Sequence, residues 1–139
     1  MRSVKIADYM ATRLVTLKPT DSVFLAMQSF LSHKISGAPV VDDAGNLVGV
    51  LSETDLLDVV IHDSYHNEPA GIVADFMMTA VETVDADGDI CTLAERFKTA
   101  HRRRFPVLRD GRLVGQISRR DVIRAAMDFL SRKSRRDAS

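Results

Sequence analysis

Tryptophan is missing from this sequence, cysteine occurs once, and no apolar run approaches the roughly 20 residues a membrane-crossing helix needs. The lone Cys91 permits no internal disulfide and no zinc cluster, and among apolar neighbours on a helix it reads as a small core residue. The first residues meet Asp8 before a signal-peptide core forms, so a soluble cytoplasmic protein without a membrane partner is expected. Four histidines (His33, His62, His66, His101) and one cysteine make no recognisable nucleophile–base set, so neither a catalytic residue nor an enzyme is expected. Asp58, His62 and His66 have i, i+4 spacing that suits a metal on a continuing helix. Pro69 and the turn-like residues around it argue instead for surface polar groups and no metal. Aromatic residues are 6% of the chain and lack the interleaving of a base-stacking platform, which argues against nucleic acid.

What the sequence does have is a globular balance, 45% hydrophobic and 27% charged over 139 residues, enough for one ordinary domain with a real core. Its net charge of zero hides a strong asymmetry. Residues 1–97 carry 6 Lys and Arg against 15 Asp and Glu, a balance of −9, and residues 98–139 carry 13 against 4, a balance of +9. An anionic ligand or surface is drawn to the second half.

The chain also repeats itself. Ile6-Ala7-Asp8-Tyr9-Met10 recurs 67 positions later as Val73-Ala74-Asp75-Phe76-Met77, and Pro39-Val40-Val41 recurs as Pro106-Val107-Leu108. From the polar turn onward the offset is 66, so that Gly49-Val50-Leu51-Ser52-Glu53-Thr54-Asp55 answers to Gly115-Gln116-Ile117-Ser118-Arg119-Arg120-Asp121. The one-residue deletion falls in a loop, where length changes cost least. Residues 1–62 form the first repeat, 63–72 a linker, 73–130 the second repeat and 131–139 a basic tail expected to fray.

Each repeat reads as β-α-β-β-α. A short apolar strand (Leu14–Leu17; Val81–Val84) precedes an amphipathic helix whose stripe is Val23, Ala26, Met27, Phe30 and Leu31, or Ile90, Leu93, Ala94 and Phe97. Asp21 or Ser22, and Asp87 or Asp89, supply the caps. Strands Ala38–Val41 and Leu47–Leu51 follow, answering to Phe105–Leu108 and Leu113–Ile117. Second helices are expected over about 52–62 and 118–130. The fold class is α+β, with α/β-type repeats. Each small sheet has an apolar face its own helices cannot cover, so the repeats are expected to pack sheet to sheet with pseudo-twofold symmetry.

The sharpest chemical feature is Ser-x-x-Asp after a glycine-led strand, present at Ser52 and Asp55 and again at Ser118 and Asp121. One reading is a helix capping box. Another is anion binding at a helix start, with the glycine letting a ligand approach the backbone. The second repeat adds Arg119 and Arg120 within the motif and Arg102-Arg103-Arg104 before Phe105-Pro106, which suits phosphate, while a carboxylate suits a ribose diol. Both readings fit one serine.

These motifs, taken in order and twice over, resemble the cystathionine-β-synthase (CBS) domain family, as the tandem pair called a Bateman module. The resemblance spans about residues 6–62 and 73–130 and includes Met10–Thr12 and Met77–Thr79. It implies a stand-alone, non-catalytic regulatory module that binds an adenosine-containing small molecule: AMP, ADP, ATP or S-adenosylmethionine. It also implies no required cofactor, a homodimer formed through helices, and a regulated partner protein. By position, one site would use Thr12, Ser36, Gly37, Ala38, Pro39, Ser52 and Asp55. The other would use Thr79, Arg103, Arg104, Phe105, Pro106, Ser118, Arg120 and Asp121. In the family the closing Asp holds ribose and basic residues before the Pro hold phosphate; only the second repeat has those bases, so unequal sites are expected. The alternative is a nucleic-acid or protein-interaction module acting through the basic half, whose affinity would fall steeply with salt. An adenine-nucleotide site would instead weaken on Asp121→Ala.

Overall fold

The computed structural model of the protein describes residues 4–66 and 71–138, and the side chains of all of these except 63–66 and 132–138. The architecture is mixed α+β, with four α-helices and two small sheets among the described residues. The first repeat contributes α1 (Val23–His33), β1 (Gly37–Val41), β2 (Leu47–Ser52) and α2 (Glu53–His66). The second contributes β3 (Val84–Asp85), α3 (Ile90–Ala100), β4 (Arg104–Arg109), β5 (Arg112–Ser118) and α4 (Arg119–Ala138). Single 3-10 turns form at Ile6–Asp8 and Val73–Asp75.

Two compact units result, and they do not follow the repeat boundaries. One, here the α1/α2 unit, is Leu14–Val81 with Gly111–Leu113; the other, the α3/α4 unit, is Met1–Arg13 with Glu82–Asp110 and Val114–Ser139. The lead segments have changed places. Ile6, from the start of the first repeat, is buried in the core built on Phe97, Phe105 and Ile117. Val73, from the start of the second, is buried in the core built on Val23, Phe30 and Leu51.

Helix starts obey the capping rule. Ser22 Oγ accepts from the Leu25 amide at 3.0 Å, and Asp89 Oδ2 from the Thr92 amide at 2.9 Å. Asp21 instead closes the turn before α1 by accepting the Lys18 amide at 2.8 Å, and Asp87 faces Lys5 at 3.9 Å. Between β1 and β2, Asp42 Oδ1 accepts the Ala44 and Asn46 amides at 3.0 and 2.9 Å. Those bonds, that of the Asn46 amide foremost, hold the Asp42 carboxyl below its usual range against the pull of desolvation, and Lys18 adds to them. Asp110 and Gly111 both take positive φ, 52° and 79°, which suits a tight hairpin between β4 and β5.

Several expectations are corrected. The lead strands are shorter than 14–17 and 81–84: the first is reduced to Leu17 bridging Val40 in parallel, the second to β3. Leu17 donates to Pro39 O at 3.0 Å and accepts from Val41 N at 2.8 Å. Carrying the ladder backwards calls for an N–H at residue 39, which proline lacks, and Pro106 imposes the same stop beside β3. Leu31 is 81% exposed rather than part of the α1 stripe, because an ideal helix carries it about 80° round from buried Val23. Cys91 is exposed, not core, standing about 100° round from buried Ile90. Helix α2 runs on to His66, into the segment read as linker, since no Gly or Pro interrupts it. Residues 67–70 of that linker lie outside the described residues. Helix α4 likewise continues to Ala138 where a frayed tail was expected.

Candidate functional site

Both Ser-x-x-Asp motifs sit where a strand becomes a helix, and both are built as capping boxes. In the α1/α2 unit Asp55 Oδ2 accepts from the Ser52 amide at 2.8 Å and from the Ser52 hydroxyl at 2.9 Å, while the Asp55 amide donates to Ser52 Oγ at 3.2 Å. In the α3/α4 unit Asp121 Oδ2 accepts from the Ser118 amide at 2.9 Å and its hydroxyl at 3.0 Å, and the Asp121 amide donates to Ser118 Oγ at 3.2 Å. Each box occupies one carboxylate oxygen and leaves Oδ1 outside it. Capping does not exhaust the carboxylate, which has about four lone-pair positions to offer.

The glycine ahead of each motif is explained by the lead segment, not by ligand approach. A Cβ at Gly115 would stand 2.9 Å from Ala11 O and 2.5 Å from Met10 Sδ; one at Gly49 would stand 3.0 Å from Met78 O and 2.7 Å from Met77 Sδ. Those backbones are pinned. Ala11 pairs with Gln116 through bonds of 2.8 and 3.0 Å, and Met78 pairs with Val50 through two of 2.9 Å. Gly115→Ala is therefore expected to cost about 1–3 kcal/mol, as overpacking usually does, read as a lower urea midpoint at unchanged slope.

A cleft of about 520 Å³ lies in the α3/α4 unit, lined by Ala11, Arg103, Arg104, Gln116, Ser118, Arg119, Arg120 and Asp121. Four arginines thus face one carboxylate at the start of a 20-residue helix. The chain order builds this directly: the Arg119 amide donates to Arg103 O at 3.2 Å, joining the residues before β4 to the first turn of α4. In the α1/α2 unit the Glu53 amide donates to Ser36 O at 3.0 Å in the same way, but the equivalent residues are Ser36, Gly37, Glu53 and Thr54. The backbones match; the charges do not.

Of the expected site residues, Arg103, Arg104, Ser118, Arg120 and Asp121 come together in that cleft. Phe105 does not line it: its side chain is fully buried, 4.8 Å from the Phe97 ring and 4.8 Å beneath the Arg96 guanidinium. Pro39, Ala38 and Pro106 are buried in their strands. Gly37 opens β1 at the edge of its unit's motif. Thr12 and Thr79, both exposed, follow their exchanged lead segments: Thr12 belongs to the unit of Ser118 and Asp121, Thr79 to that of Ser52 and Asp55. Arg102 is drawn aside to Glu82 at 3.8 Å. Sequence reasoning missed Ala11 and Gln116, and singled out Arg119 with Arg120 for phosphate. Gln116 had a signal, since it shares the outward face of β5 with Ser118 two residues on.

Among the described residues no three His, Cys, Asp or Glu side chains group to hold a metal; the side chain of His66 lies outside them. His62 meets Phe76 edge-on at 6.4 Å. No helix among the described residues is long and apolar enough to cross a membrane.

Two like units, each passing from strand to helix through Ser-x-x-Asp, place the protein in the class of tandem-repeat α+β modules. A family model for the CBS domain matches residues 6–62 and 73–128, and the chain belongs to that family. CBSX2, a chloroplastic CBS domain-containing protein of Arabidopsis thaliana, is 30% identical over 152 residues covering 89% of this chain. A crystal structure of CBSX2 in complex with AMP superposes with a TM-score of 0.79 at 31% identity, covering 90% of this chain and 97% of that one. Protein MJ1225 of Methanocaldococcus jannaschii superposes with a TM-score of 0.81 at 25% identity, covering 90% of this chain and 50% of its own. Against curated relatives this chain spans 41% of MJ1225 and 64% of CBSX2. Enzymes also carry the matched region, among them an Aquifex aeolicus A-adding tRNA nucleotidyltransferase of which this chain spans 15%.

Proposed function

We propose that the protein is a non-catalytic regulatory module that binds an adenine nucleotide and passes its occupancy to a partner protein. The observation that carries this reading is the α3/α4 cleft, where Arg103, Arg104, Arg119 and Arg120 converge at the start of a long helix beside Ser118 and Asp121. Guanidinium groups make short, strong bonds to phosphoryl oxygens, and the helix start adds its own partial positive charge. CBSX2, which has been crystallised with AMP, supports the ligand class. In this reading Ser52 and Asp55, together with Thr79, Ser36 and Gly37, form the second, less cationic site. Apolar side chains exposed on α1, α2 and α4, such as Phe24, Leu57, Ile61 and Met127, support a homodimer formed through helices.

A thermal-shift series with AMP, ADP, ATP, S-adenosylmethionine and NAD tests the reading. A ligand at about 100 times its dissociation constant stabilises by about 2.7 kcal/mol, enough to be seen as a higher Tm. ATP and ADP are expected to shift more than S-adenosylmethionine, whose sulfonium meets a cationic cleft. Loss of the cap lowers the baseline Tm of Asp55→Ala and Asp121→Ala, so the readout is each variant's ligand-induced increment, not its Tm. No shift of the wild type by any adenosine compound at millimolar concentration would remove the proposal.

A further inference from the structure

Resting on the nucleotide reading above, we propose that Arg124 assigns the two Ser-x-x-Asp carboxylates to different chemistry. Asp121 is held inside the protein so that its cleft takes phosphoryl oxygens, and Asp55 keeps an oxygen for ligand hydroxyls. The carboxylate that the repeat makes equivalent is engaged differently in the two units. Arg124 Nη2 donates to Asp121 Oδ1 at 3.0 Å and to Tyr9 O at 2.9 Å, and its guanidinium lies 5.8 Å from the Tyr9 ring centroid. The Tyr9 hydroxyl in turn donates to Asp128 Oδ2 at 2.9 Å. Capping takes Oδ2 and Arg124 takes Oδ1, so both oxygens of Asp121 already have donors.

The α1/α2 unit carries different residues at these places. At the positions equivalent to Arg124, Tyr9 and Asp128 stand Asp58, Phe76 and His62. A phenylalanine has no hydroxyl, and an aspartate gives Asp55 a like charge in place of a cation. Among the described residues, Asp55 Oδ1 accepts no hydrogen bond. With Glu53 in the first turn as well, that corner repels phosphate and attracts neutral donors, as a ribose diol would be. In the cleft of the α3/α4 unit the opposite holds. There Asp121 is the one acidic lining residue, and Arg124 offsets the charge that would repel an anion.

The pair is exposed on the arginine side, 60% against 20% for Asp121, so its effect is a bias rather than a lock. Isothermal titration with adenosine, which has the diol and no phosphate, and with tripolyphosphate, which has the reverse, separates the two roles. Adenosine affinity is expected to fall about tenfold in Asp55→Asn, the loss typical of a bond to a charged group, and less than about twofold in Asp121→Asn. Tripolyphosphate affinity is expected to fall about fivefold in Arg124→Met and to return largely in Arg124→Lys, which keeps the charge without the fork. Because Arg124 acts through Asp121, the loss on Arg124→Met should shrink to about twofold or less in an Asp121→Asn background. Arg124→Lys and the double variant also guard against a trivial loss of folding, since each variant's Tm is read alongside. Equal adenosine losses at Asp55 and Asp121, or an Arg124→Met effect independent of Asp121, would overturn the assignment alone. A wild type that binds neither adenosine nor AMP would overturn the nucleotide reading itself.

Discussion

Truncating Phe105 to alanine is expected to destabilise the protein by about 3–5 kcal/mol, the range for deleting a buried aromatic ring. Its side chain is among the largest that are fully buried, and its ring meets Phe97 at 4.8 Å with an interplanar angle of 42°. Removing it leaves a cavity, breaks the aromatic pair and strips the surface over which the Arg96 guanidinium lies. Arg96 remains anchored to Thr83 O at 2.8 Å, so the site has little freedom to collapse and the cavity term persists. Against a total stability of about 5–15 kcal/mol the loss is large, and calorimetry should record a Tm lower by about 10 °C or more. Phe105→Leu, which keeps most of the volume, should cost less and fold well enough for titration. Its affinity for ATP should match the wild type, because the ring lies in the core and not in the cleft. Near-native stability in Phe105→Ala would contradict the packing described, and a selective loss of ATP affinity in Phe105→Leu would return the residue to the ligand.

Arg103→Ala combined with Arg120→Ala is expected to weaken ATP binding by about a hundredfold or more, since each lost bond between charged groups is worth about 1.5–3 kcal/mol and two are removed. These two arginines reach the cleft from different sides of its frame, one before β4 and one in the first turn of α4. Neither is buried, so the fold should tolerate the change and Tm without ligand should move little. Adenosine, lacking phosphate, should bind the variant as it binds the wild type. Titrations at about 50 and 300 mM salt add a check: the wild type should lose more affinity than the variant as screening removes the arginines' advantage. Equal ATP affinities for variant and wild type would exclude the cleft as the phosphate site.

Much of this was legible in the chain. The offsets of 67 and 66 located both repeats, the stripe Ile90, Leu93, Phe97 located a buried helix face, and Ser22 and Asp89 announced the helix starts. These are short-range properties: periodicity and capping depend on residues within one or two turns. Leu31 and Cys91 were misplaced by helix angle alone; the other errors at the site lie where a neighbour distant in sequence decides. Pro39 and Pro106 cut short strands that composition alone would extend, because the missing N–H matters only once the parallel partner is known. Gly49 and Gly115 looked like room for a ligand and prove to be room for the backbone of the exchanged lead segments.

By itself, then, the sequence determined the duplication, the α+β elements, the family and the lopsided charge, since each is encoded in local pattern or plain count. Only the tertiary structure decided which halves go together and which charges meet. Ile6 joins the core of the second repeat and Val73 that of the first, and four arginines from two separated stretches close on one cleft. It also decided that Asp121, identical in motif to Asp55, is engaged by Arg124 while Asp55 is not. The reason is physical: i, i+3 spacing lets Ser118 and Arg124 reach Asp121, but the Tyr9 carbonyl that anchors Arg124 and the arginines before β4 come from chain positions that no local pattern connects.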